Sequence, residues 1–205
     1  VTNNAITGII LRSDNSSVNN NRIVSNGGGM SIENNTNSII RDNVVGNGTN
    51  VGILMTSTVN NVIAGNFIGV DNDGQTALPN GNAGIVIMGG PTPTTGNIVG
   101  GTTPADRNVI ANGSRAHVVI FGTGGVVSQN KIIGNYLGVD GTGAINPSFV
   151  NGSEGVIIAG NATGNTIGGF APGESNIIAN NTTGISMLGI SAFSLVPQDN
   201  SVLAN

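Results

Sequence analysis

The sequence predicts an all-β solenoid: a β-helix of about nine coils, each of about 23 residues carrying three short strands. Three observations predict it. Asn43, Asn66, Asn112, Asn135 and Asn181 lie at multiples of one 23-residue step. An aliphatic row, Ile40, Ile63, Val86, Val109, Ile132 and Ile178, keeps the same step. The composition suits strands and sharp bends: Gly (34) and Asn make up about a third of the 205 residues, and the apolar 38% is mostly Ile and Val. Those β-branched side chains favour pleated backbone, whereas Gly and Asn disfavour helix interiors.

The strands follow from local motifs. Gly8-Ile9-Ile10-Leu11, Gly29-Met30-Ser31-Ile32 and Gly52-Ile53-Leu54-Met55 open one strand per coil. Asn61-Val62-Ile63-Ala64-Gly65-Asn66 and Asn130-Lys131-Ile132-Ile133-Gly134-Asn135 supply the next, a short apolar segment between two bends. The third is Asn66-Phe67-Ile68-Gly69-Val70, matched by Asn135-Tyr136-Leu137-Gly138-Val139. A larger unit is nested inside: residues 61–129 resemble 130–199 at an offset of 69, read as a duplicated block of three coils. In such a stack the five asparagines form a ladder, each amide hydrogen-bonded to those above and below. Asn also tolerates the left-handed backbone of a sharp bend.

Composition restricts the partners. The formal net charge is −4 and the six basic residues are scattered singly, so no basic stripe exists to neutralise phosphates, and nucleic acid is excluded as a partner. No apolar run approaches the roughly 20 residues of a membrane-spanning helix, so no membrane insertion is expected. There is no cysteine, hence no disulfide and no thiolate metal site. Nothing divides the chain, which reads as one domain over 1–205. Val1 looks like an internal start, and the last unit, Asn200-Ser201-Val202-Leu203-Ala204-Asn205, stops midway through a coil. The expectation is a segment of a longer array, with other β-helix segments or chains stacked at its open ends.

The units Asn-x-Ile-x-Gly-Asn-x-Ile-Gly-x-Asp and Asn165-Thr166-Ile167-Gly168-Gly169 resemble the repeats of right-handed parallel β-helix proteins of the pectin-lyase-like superfamily. They are most similar to the non-catalytic repeats of large secreted bacterial surface proteins. The resemblance spans nearly the whole chain. It implies a right-handed coil and an extracellular or cell-surface location. It does not imply one activity, because the superfamily holds lyases, hydrolases, epimerases and adhesins. The motifs of its hydrolases, pectate lyases and epimerases are missing here.

Candidate chemistry is correspondingly sparse, and no catalytic residue is assigned. The ten acids are spread along the chain. His117, the single histidine, is expected to be exposed or to line a bend. Lys131 is expected to point outward, and Arg41-Asp42 to form a surface pair. Asp71-Asn72-Asp73-Gly74 places oxygen ligands at alternate positions before a glycine, a fragment of calcium-loop chemistry, with Asp140 as its repeat partner. Asp71, Asp73 and Asp140 are therefore the candidate metal ligands, with calcium the one cofactor considered. Met187, Leu188, Phe193 and Leu195 form the candidate apolar contact patch. The expected function is a non-catalytic extracellular structural or adhesive module, a rigid spacer or surface touching cell-surface or matrix glycans. The competing readings are a carbohydrate-active enzyme, such as a polysaccharide lyase or epimerase, and a glycan-binding module. Both are weakened by the shortage of aromatic residues, one Tyr and no Trp.

Overall fold

The computed structural model describes residues 1–190 and 195–205. Every strand-to-strand ladder between named strands is parallel, and the strands form three sheets. The first holds the longest strands: Thr7–Leu11, Gly28–Thr36, Ile53–Val59, Ile85–Met88 with Thr94–Thr95, Ala116–Ser128, Glu154–Thr163 and Thr183–Leu188. The second runs Ser17–Asn19, Ile39–Arg41, Val62–Ala64, Ile98–Gly100, Lys131–Ile133, Thr166–Ile167 and Ser201–Val202. The third runs Arg22–Val24, Val44–Gly46, Phe67–Ile68, Val109–Ile110, Tyr136–Leu137 and Ile177–Ile178. The chain visits the sheets in that order and returns to the first, as a right-handed parallel β-helix does. The single helical element among the described residues is a 3₁₀ turn, Pro104–Asp106. No helix there is long and apolar enough to cross a membrane.

One local pattern builds the second and third sheets. An asparagine turns inward at the corner, the next residue points out, and the one after enters the core. Asn61-Val62-Ile63, Asn97-Ile98-Val99, Asn130-Lys131-Ile132 and Asn165-Thr166-Ile167 do this at the first corner, where all four asparagines are fully buried. Asn43-Val44-Val45, Asn66-Phe67-Ile68, Asn108-Val109-Ile110, Asn135-Tyr136-Leu137 and Asn176-Ile177-Ile178 do it at the second. Tight corners place a left-handed residue just before the asparagine, such as Asp42 (φ 56), Asn60 (φ 55) or Gly134 (φ 68).

The backbone N–H and the Nδ2 group of each asparagine donate to the Oδ1 of its counterpart one coil on. Asn43 donates to Asn66 at 3.0 and 3.0 Å, Asn66 to Asn108 at 2.9 and 2.9 Å, and Asn135 to Asn176 at 2.9 and 3.1 Å. All these amides point the same way along the axis, so each polarises the next. Inside them the core is narrow and aliphatic. Ile23, Ile53, Ile63, Ile85, Ile110 and Ile132 are fully buried, each worth about 2 kcal/mol. The main core cluster contains no aromatic side chain.

The spacing differs from the sequence expectation. Six coils carry all three strands and a seventh carries two, rather than nine coils of 23 residues. Successive ladder asparagines at the second corner are 22 and 23 residues apart up to Asn66, then 42, 27 and 41. The 69-residue offset thus spans two coils, not three: Asn66 and Asn135 are equivalent positions with Asn108 between them. Because 69 is three times 23, two different rows merged into one in the sequence. Asn43, Asn66 and Asn135 share the second-corner ladder, whereas Asn112 and Asn181 lie at the third corner, Asn112 bonded to Asn151 and Asn181 to His117. The aliphatic row divides likewise. Ile40, Ile63 and Ile132 line the core from the second sheet and Ile178 packs against it from the third, but Val86 and Val109 face outward. Most of the extra residues are loops inserted at corners; the others interrupt the first sheet, at 89–93 and at the register shift between Gly122 and Val127.

A candidate ligand cleft on the third sheet

The outward row of the third sheet reads Arg22, Val44, Phe67, Val109, Tyr136 and Ile177. Loops rise on both sides of it. On one side stand residues 71–77 and 140–149, equivalent loops from coils two apart. They touch directly: Gly141 N–H donates to Gly74 O at 2.9 Å, and Gln75 Nε2 donates to Asp140 Oδ2 at 3.3 Å. Gly74 (φ 67) is required there, since a Cβ would lie 2.8 Å from Gly141 Cα. On the other side the loop 101–107 carries the 3₁₀ turn. Arg41 Nη1 donates to Asp106 Oδ1 at 2.9 Å, tying this loop to the second sheet.

Three aromatic side chains excluded from the narrow core gather here. Phe67, Tyr136 and Phe149 pack with Val70, Ala77, Val109 and Ala111 in a cluster outside the sheet. Between Phe67 and the second corner lies an open cleft of about 370 Å³, lined by Asn20, Asn21, Arg22, Asp42, Val44, Gly65, Phe67 and Asn72. Arg22 forms one rim, its Nη1 and Nη2 donating to Asp71 Oδ1 and Oδ2 at 2.5 and 2.9 Å. Two coils further on, the corresponding space is filled: the Arg107 guanidinium lies 4.1 Å above the centre of the Tyr136 ring.

Four carboxylates around this face are engaged, while Asp42, which lines the cleft, has only a 3.4 Å contact with Arg41 Nε. The Arg22 guanidinium holds Asp71 below the usual carboxylate range. Asp73 accepts from the Thr76 hydroxyl at 2.6 Å and from Gln75 and Thr76 N–H at 2.8 Å, which lowers it too. Burial pushes Asp140 up, but hydrogen bonds from Thr142 and from the Ala144 and Gly143 N–H groups outweigh it and leave the carboxyl depressed. The Thr103 hydroxyl, then Arg41, lowers Asp106. Asp71, Asp73 and Asp140, the candidate calcium ligands, thus serve an ion pair and two turns. No group of three or more His, Cys, Asp or Glu side chains placed to hold a metal ion exists among the described residues.

The remaining candidates lie elsewhere. Lys131 is exposed on the second sheet, and Arg41 Nε stands 3.4 Å from Asp42 Oδ2. Met187 and Leu188 are exposed on the last strand of the first sheet, and Leu195 is half-buried opposite Ile190. Phe193 lies outside the described residues.

His117 lines a bend, one of the two places expected of it, and is not exposed. It is fully buried, in a column otherwise made of glycine: Gly8, Gly29, Gly52, Gly84, Gly155 and Gly184 precede the equivalent core residues of the other coils. Its Nε2 donates to Asn181 Oδ1 at 2.8 Å, an assignment set by Asn181 Nδ2 donating to Ala179 O at 2.8 Å. Nδ1 has no partner among the described residues. Burial pushes this imidazole down to about 4.

Sequence reasoning missed Asn97, Asn108 and Asn165 as ladder members, the Arg22–Asp71 pair and the Arg107–Tyr136 stack. The asparagines were findable from the Asn-x-aliphatic motif once a fixed period was dropped. The arginine contacts cross 49 and 29 residues of sequence and left no local signal.

The fold and this face define the molecule as a right-handed parallel β-helix protein with a polar, aromatic-floored cleft on one sheet. No protein-family model matches the chain, and no curated protein is similar to it. Among solved structures, the A-module of the mannuronan C-5 epimerase AlgE4 of Azotobacter vinelandii is similar at 14% identity, with a TM-score of 0.47. The match covers 96% of this chain and 58% of that one, so the chain spans little more than half the length of that structure.

Proposed function

We propose that this chain is an extracellular or cell-surface β-helix module that works by contact rather than by turnover, as an adhesive or structural surface of the kind formed by non-catalytic β-helix repeats. One observation carries this reading: the third sheet presents an open cleft floored by Phe67, while the neighbouring Asp71, Asp73, Asp106 and Asp140 are held ionised by ion pairs and turns. A carboxyl serving as general acid needs a raised pKa and a free proton, the opposite of these environments. His117, the single histidine, is sealed inside the corner. A stack tied by continuous amide ladders suits a rigid spacer, and a groove between fixed loops suits recognition without rearrangement.

A screen of immobilised polysaccharides and matrix proteins, scored for both retention and chemical change, tests the reading. Saturable retention without new chain ends or altered sugars is expected. Catalytic turnover of any polysaccharide would overturn it in favour of the enzyme reading.

A further inference from the structure

We infer that the cleft over Phe67 seats a guanidinium group, that of an arginine side chain presented by a protein partner. This deepens the contact reading above and rests on it.

The chain supplies its own stand-in for the bound group. Phe67 and Tyr136 occupy equivalent positions two coils apart, each following a second-corner ladder asparagine. Over Tyr136 lies the guanidinium of Arg107, the residue just before the ladder asparagine Asn108 of the preceding coil. The residue at the corresponding place before Phe67 is Asp42, just ahead of Asn43. One ring is therefore covered by a cation from its own chain. The other is open and has a carboxylate where the covering arginine would originate.

Charge around the open site agrees. The charged residues lining the cleft are Arg22 and Asp42; Arg22 is already engaged by Asp71, which leaves Asp42 as the carboxylate facing a ligand. Asp42 is close to half exposed, at 46%, and its contact with Arg41 is long, at 3.4 Å. Asn20, Asn21 and Asn72 add amide oxygens around the rim. A guanidinium offers a flat face to stack on Phe67 and a fork of donors for Asp42 and the amides. An ammonium lacks the flat face, and an uncharged hydroxyl ligand leaves Asp42 with only its long contact to Arg41.

The test titrates acetyl-arginine amide and its uncharged isostere acetyl-citrulline amide into the whole chain, following the ring resonances of Phe67 and Tyr136 by NMR. Saturable shifts of the Phe67 ring are expected with the arginine probe, with citrulline about tenfold weaker or worse. Asp42→Asn, which keeps a residue tolerant of left-handed backbone, should weaken the arginine probe about fivefold. Arg107→Ala should uncover Tyr136 and add a second arginine-responsive ring, a gain that a merely damaged fold would not produce. Equal response to both probes, or shifts confined to other faces, would overturn the assignment. If neutral oligosaccharides shift Phe67 and the arginine probe does not, the guanidinium assignment falls and the contact reading stands. If neither class of probe touches this face, both fall.

Discussion

Residues 7–68 and residues 69–202 build the same three sheets from coils of unequal length. In the first stretch the ladder asparagines at the second corner follow one another at 22 and 23 residues. In the second the steps are 42, 27 and 41: the two long ones each hold a third-corner loop (71–77 or 140–149) and a second-corner loop (101–107 or 168–175), and the step of 27 holds only the strand irregularity between Gly122 and Val127. Yet the amide bonds are the same in both, at 2.9 to 3.3 Å. The register is therefore set by where an asparagine meets an aliphatic residue two places later. The number of residues spent at a corner is free to vary, since lengthening a surface loop costs little.

The largest test of that equivalence replaces one rung in each stretch. Asn66→Leu and Asn135→Leu each strand the N–H and Nδ2 of the preceding rung, together with carbonyls on two coils. Each should cost about 4 kcal/mol in urea unfolding, and the two should agree to within about 1 kcal/mol. A much smaller loss for Asn135→Leu would mean that the loops, not the ladder, hold the second stretch together.

His117 marks a place where the looped stretch breaks the glycine column. Its folded pKa, about 4, lies below the unfolded value, so the unfolded chain binds the extra proton first. Stability should be full above about pH 6.5 and fall by about 3 kcal/mol as pH drops toward 4. His117→Gly should remove that slope above about pH 5; below it the carboxylates that the fold holds low add a slope of their own. Urea midpoints between about pH 5 and 6.5 measure it, and an unchanged slope would place the proton elsewhere.

Tight corners should differ by residue. At Gly134 (φ 68) a Cβ would lie 2.0 Å from Gly101 O, so Gly134→Ala should cost about 2 kcal/mol or more. Asp42→Ala, at a similar φ of 56 on the regular side, should cost about 1 kcal/mol in the same denaturation assay. The smallest effect is expected at the rim. Arg22→Gln removes a half-exposed ion pair with Asp71 and should cost under about 1 kcal/mol, less at high salt.

Much of this was legible in the chain. Asn43, Asn66 and Asn135 were recognisable because a buried corner amide must repeat wherever the chain turns. Ile40, Ile63 and Ile132 were recognisable because the residue two places on must enter the core. Val86 and Val109 were misplaced because a fixed period carries no information about insertions. Asn112 and Asn181 joined the wrong row because the two-coil unit is a multiple of the short coil. The cleft was not legible at all. Phe67 looked like a strand residue, and Asp71 looked like a calcium ligand rather than the partner of an arginine 49 residues earlier.

The amino-acid sequence by itself determined the kind of coil: β-branched residues for pleated strands, and asparagine and glycine for bends. Those are local preferences, written within a few neighbouring residues. Tertiary structure alone decided how many coils there are, which asparagines stack, and that aromatic and charged side chains from distant segments meet over one sheet. Stacking brings together residues whose separation depends on the whole length of the loops between them, and no local pattern encodes that length.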